Sequence, residues 1–155
     1  MVFPVPSEVV IRTAATVEKK ALEALQLRAS LTNAGDREAL LANPDAIEVP
    51  VAQIAAGRVF VSELSGATVG FSAIEPRMDG ETELDALFVD PDVRRQGIGR
   101  LLVEHCAEVA RRQGSKALYV TGNPHAEDFY IACGFNPIGT IETRFGVGLL
   151  FRREL

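Results

Sequence analysis

Arg94-Arg95-Gln96-Gly97-Ile98-Gly99 lies between a run that reads as a strand ending at Val89 and one that reads as a helix beginning near Ile98. Its position decides the reading. Glycines at 97 and 99 let backbone N–H groups come close to a ligand, and a helix N-terminus adds a partial positive charge. Together they predict a place for pyrophosphate, and so a phosphorylated cofactor. The Rossmann fingerprint needs a third glycine where Leu102 stands, and the Gly-Lys-Ser/Thr run of a Walker A loop is absent. A lone Gly-x-Gly is equally compatible with a plain turn into a helix, so the flanking sequence has to carry the argument.

Working outward, Thr82 to Val89 alternates, with Leu84, Ala86 and Phe88 on one face and Glu83, Asp85 and Leu87 on the other; Asp90-Pro91 stops the ladder. Upstream, Arg58 to Leu64 and Ala67 to Ile74 are rich in Val, Phe and Ile around Ser65-Gly66, which predicts a hairpin. Downstream, Leu101, Leu102, Cys106, Val109 and Ala110 mark an amphipathic helix that ends with Arg111 and Arg112 and with Gly114 just past its last turn. Lys116 to Thr121 reads as a strand. Asn123-Pro124 opens a further helix as N-cap and N1, closed by Gly134.

Before the hairpin, Val17 to Leu31 has helical spacing with Thr16 as N-cap, and Asp36 caps a shorter helix through Leu41. After Gly134, Pro137 to Ile141 and Val147 to Phe151 predict a final pair of strands. No internal repeat, low-complexity tract or linker divides the chain, so residues 1–155 are expected to form one α+β domain.

The whole-chain numbers narrow the function classes. Among 155 residues, 47% hydrophobic and 24% charged is the balance of a globular domain and excludes disorder or fibrous repeats. A formal charge of -5 supplies no basic face for phosphate backbones, so nucleic acid is not the expected partner, and the sign favours cationic small molecules such as amines. Cys106 and Cys133 fall in apolar helical positions; the expectation is no disulfide, no metal site and a cytoplasmic protein. No run is long and apolar enough to span a bilayer, and Met1 to Pro6 lacks the features of a signal peptide.

The order strand, Arg-x-x-Gly-x-Gly, helix, a strand ending in Thr121-Gly122-Asn123, then Phe129-Tyr130-x-x-x-Gly134-Phe135, resembles the GCN5-related N-acetyltransferase (GNAT) superfamily. The resemblance is strongest over Glu83 to Phe135. It implies a mixed, mostly antiparallel sheet of about six to seven strands flanked by about four helices, with the strands ending at Val89 and Thr121 parallel across a helical crossover. Arg94, Arg95, Gln96, Gly97, Ile98, Gly99 and Arg100 would hold the pyrophosphate of acetyl-coenzyme A (acetyl-CoA), and the backbone of Leu87, Phe88 and Val89 the pantetheine arm. Tyr130 matches the general acid that protonates the leaving thiolate. Glu83, fourteen positions before Gly97, matches a glutamate that takes the amine proton, and Asp85 competes for that role.

Asn123 matches a contact to pantetheine or substrate. Each has a structural alternative: Tyr130 as a packing ring on the face of Ala126, Phe129 and Cys133, Glu83 as an outer-face charge, Asn123 as an N-cap. The implied reaction is direct acetyl transfer to a primary amine of a small molecule or peptide, and the family also admits a homodimer through the C-terminal strands. The rival functions are an acyl-CoA-binding sensor without turnover and a tRNA-acetylating toxin.

Overall fold

A computed structural model describes residues 8–32, 34–94 and 96–155. Seven strands, β1 (Val9–Thr13), β2 (Val59–Leu64), β3 (Ala67–Pro76), β4 (Thr82–Val89), β5 (Ala117–Gly122), β6 (Asn136–Thr143) and β7 (Gly146–Glu154), form one mixed sheet in the order β1-β2-β3-β4-β5-β7-β6. The pairing is mostly antiparallel, but β4 and β5 run parallel in the register Thr82↔Leu118 to Leu84↔Val120. Five helices accompany them among the described residues: α1 (Lys19–Leu31), α2 (Ala34–Ala42), α3 (Val51–Ala55), α4 (Ile98–Arg112) and α5 (Glu127–Ala132). The chain forms two compact units, residues through Ala73 with Ala86–Leu102, and Ile74–Asp85 with Val103–Leu155.

In the first unit, the β2–β3 hairpin turns at Ser65 and Gly66, whose φ angles of 52° and 81° match the two left-handed positions of a type I′ turn. Leu22 and Leu25 of α1 are fully buried against Val59, Val61, Phe71 and Ala73, and Ala86 and Phe88 of β4 pack on that cluster. Leu87 and Val89 pack instead with Val69, Ile98 and Leu102, so the alternation read from β4 holds at its C-terminal end.

Two expected caps, Thr16 and Asp36, are corrected, and one strand is added. Val9–Thr13 is a strand, with Val9 and Ile11 inward and Val10 outward; five residues are too few for its Val-Val-Ile run to show a period in the sequence. The five helices fit the expected count of about four, the fifth being α3, a single five-residue turn after Pro50. Thr16 starts a 3-10 turn rather than capping α1; Ala15 holds the cap position and its N–H donates to Glu18 at 2.8 Å. Asp36 likewise sits inside the first turn of α2.

Candidate active site

Gly97 gives α4 its particular N-terminus. Its carbonyl accepts from Leu101 N–H at 3.1 Å, so it stands at the cap of a 15-residue helix, yet it has no side-chain oxygen to satisfy the first helical N–H groups. Its φ of 79° is left-handed and its surface is exposed. A glycine suits that backbone, and the N-terminus of a helix is a place where an anion can be held. Gly99 follows in the first turn with no side chain to crowd the approach.

The loop leading to Gly97 is braced from two sides. Asp90 donates its N–H to the Val69 carbonyl at 2.8 Å, caps the 3-10 turn Pro91–Val93 by accepting from Asp92 N–H at 3.0 Å, and accepts from Arg28 of α1 at 3.0 Å. The Asp92 amide, and then Arg28, hold its carboxyl below the ordinary aspartate range. Arg94 reaches back to the C-terminus of α1, donating to the Ala29 carbonyl at 3.0 Å and to the Thr32 hydroxyl. The Arg94 guanidinium, expected on pyrophosphate, is thus already engaged by α1. Ile98 is buried, so only its backbone can serve a ligand, whereas Gln96 and Arg100 are exposed. Arg95 lies outside the described residues.

Leu87, Phe88 and Val89 are half-buried at the end of β4. An added Cβ on Gly70 would stand 3.0 Å from the Phe88 carbonyl and 2.8 Å from the Ser62 hydroxyl, so glycine at 70 lets β3 lie close against this stretch.

In the second unit, Tyr130 of α5 is buried among Phe129, Phe135 and Phe151, with ring centroids at 5.2, 5.6 and 5.4 Å. Burial, with a smaller contribution from Cys133, pushes its phenol up to about 12. No described residue hydrogen-bonds its hydroxyl, so the group is a neutral phenol with its proton uncommitted. The packing alternative is therefore true of the ring and leaves the hydroxyl over. Asn123 does cap the turn after β5, its side-chain oxygen accepting from His125 N–H at 3.1 Å.

Glu83 is held rather than loose. Its Oε2 accepts from Arg77 at 2.7 Å, Oε1 has no partner among the described residues, and Asp79 takes the Arg77 Nε at 3.2 Å. Arg77 lies 3.8 Å over the ring of Tyr119, the register partner of Glu83, and the Tyr119 hydroxyl accepts from Arg152 at 3.2 Å. Asp85 is exposed. Arg77, Tyr119, Arg28 and Asp90 were missed from sequence; only Asp90-Pro91 carried a local signal, and that signal was for a turn. Cys106 and Cys133 are buried and not joined in a disulfide, and no cluster of three metal-ligating side chains occurs among the described residues. No helix among them is long and apolar enough to cross a membrane.

Fold and site together define a mixed α+β protein with a left-handed glycine at the N-terminus of its longest helix. The chain belongs to the Acetyltransferase (GNAT) family, whose model matches residues 22–135. Over 59 residues it is 46% identical to the peptidyl-lysine N-acetyltransferase YjaB of Salmonella typhimurium, a match covering 38% of this chain and 39% of that relative. The match thus spans about two fifths of that relative's length. Among solved structures, a GCN5-related N-acetyltransferase from Rhodopseudomonas palustris aligns over 100% of this chain and 99% of its own, with TM-score 0.77 at 19% identity. The PaiA N-acetyltransferase of Thermoplasma acidophilum, solved in complex with coenzyme A, aligns over 95% and 99%, with TM-score 0.74 at 14% identity. At such identities the likeness shows the fold, and it bears out the expected mixed sheet.

Proposed function

We propose that this protein is an acetyl-CoA-dependent N-acetyltransferase acting on a primary amine of a small molecule or peptide by direct attack. The observation that carries the reading is the α4 N-terminus, where a left-handed, exposed Gly97 brings no capping side chain of its own to the first helical N–H groups. Those amides, from Gly97 to Arg100, would hold the pyrophosphate, and Gly99 would let it approach. The coenzyme supplies the reactive thioester. The exposed guanidinium of Arg100 adds charge at the same end of the helix, while Arg94 contributes by bracing the loop.

Acetyl transfer needs two proton movements. The amine must lose a proton to attack the carbonyl carbon, and the sulfur must gain one as the carbon–sulfur bond breaks. Glu83, with Oε1 available, would take the first, directly or through water, while Arg77 holds its other oxygen. Tyr130 would give the second. Its phenol keeps its proton through the neutral range and offers a hydrogen bond to the developing thiolate. Membership of the family and the peptidyl-lysine activity in the name of one relative support an amine acceptor.

The test is thiol release from acetyl-CoA with a panel of amines, polyamines, amino acids and lysine peptides. Turnover with one class is expected. Tight binding of acetyl-CoA with no turnover across the panel would contradict the enzyme and favour the sensor.

A further inference from the structure

Gly122 ends β5 in ordinary strand conformation, so the usual backbone reason for glycine does not apply to it. The reason is space. A Cβ built there would stand 2.9 Å from Tyr130 Cε2, 3.1 Å from Tyr130 Cδ2 and 3.2 Å from Phe151 Cε2. The first distance is closer than real Cβ contacts come, so a side chain would have to displace the ring. Cε2 adjoins the carbon that bears the hydroxyl, and any shift there is passed to the oxygen. Retreat is hindered because Phe129, Phe135 and Phe151 already pack against the ring.

We infer that Gly122 is a positioning residue for the Tyr130 hydroxyl: its missing side chain is the seat on which the tyrosine ring lies. The inference rests on Tyr130 as the proton donor. Gly148 supplies a control, because its added Cβ would be similarly tight, 3.0 Å from methyl groups of Thr121 and Thr143, and its three nearest atoms belong to Thr121, Thr143 and Ile141 rather than to Tyr130.

The experiment compares Gly122→Ala, Gly148→Ala and Tyr130→Phe by steady-state kinetics and by calorimetry with acetyl-CoA. Gly122→Ala is expected to lower kcat about tenfold or more, into the range of Tyr130→Phe, with acetyl-CoA affinity within about threefold of the parent. Gly148→Ala is expected to keep kcat. A double-mutant cycle on thermal unfolding covers poor folding of the single variant: the penalty of Gly122→Ala should shrink by at least half when Tyr130 is also Ala. A normal kcat for Gly122→Ala beside an impaired Tyr130→Phe would overturn the inference. So would a Gly122→Ala penalty unchanged by Tyr130→Ala. Unimpaired turnover by Tyr130→Phe would instead overturn the donor reading itself.

Discussion

The loop before α4 and the aromatic cluster around α5 solve opposite problems. On the proposed reading the backbone of the loop before α4 would do the binding, and Arg28, Asp90 and Arg94 brace that loop. Around Tyr130 and Glu83 the backbone would be scaffold, and single side-chain atoms would carry the proposed chemistry. The difference separates affinity from turnover: damage to the loop should weaken coenzyme binding, whereas damage to the second region should lower kcat.

The sharpest way to break that separation is Gly97→Val. A β-branched residue at φ 79° is strained by roughly 1–2 kcal/mol or more, and its side chain would crowd the open amides. Acetyl-CoA affinity measured by calorimetry should fall by about a hundredfold, with kcat at saturation changed far less. Equal losses in both would erase the distinction.

Glu83→Gln comes next. Loss of the proton acceptor should reduce kcat/KM for the amine about tenfold or more, and removing the guanidinium with Arg77→Met should have a smaller effect of the same kind. Acetyl-CoA binding should be unaffected by either. If Asp85→Asn proves the more damaging change, the base has been assigned to the wrong carboxylate.

Arg94→Met sharpens the comparison from the binding side. The guanidinium is already spent on the Ala29 carbonyl and the Thr32 hydroxyl, so the substitution should cost stability, about 1 kcal/mol, and change acetyl-CoA affinity by no more than about threefold. An affinity loss of tenfold or more, with a weaker salt dependence, would make Arg94 a phosphate ligand after all.

The smallest effect is on pH. Glu18, beside Arg12, Glu23, beside Lys19 and the Val49 amide, and Asp90, on the Asp92 amide, all have carboxyl pKa values below the ordinary range. Their stabilising contribution is fully present above the unfolded value of about 4 and is lost as pH falls through the lowered folded values. The thermal midpoint should therefore drop below about pH 4, after an earlier decline below about pH 6.5 from His105, whose imidazole burial, and then Arg112, hold below the ordinary histidine range. Tyr130 runs the other way, raised to about 12, so an alkaline decline in turnover below about pH 10 should persist in Tyr130→Phe.

What could be read without coordinates follows the same divide. Glycine restricts backbone so strongly that Gly97 and Gly99 announced the loop, and Asn123-Pro124 announced the cap that was found. The alternating residues of β4 announced its two faces. Contacts made across the sheet left no local trace: nothing near Arg77 in the chain points to Glu83 or Tyr119, and nothing near Arg94 points to the end of α1. Strand β1 was hidden for another reason, since five residues with one outward valine give periodicity too little room.

The central claim, that the α4 loop binds the coenzyme and Tyr130 completes the transfer, is tested most directly by Tyr130→Phe with both readouts on one preparation. The account predicts acetyl-CoA binding by calorimetry within about threefold of the parent and thiol release lowered at least tenfold. Binding lost in proportion to turnover, or turnover retained, would contradict it.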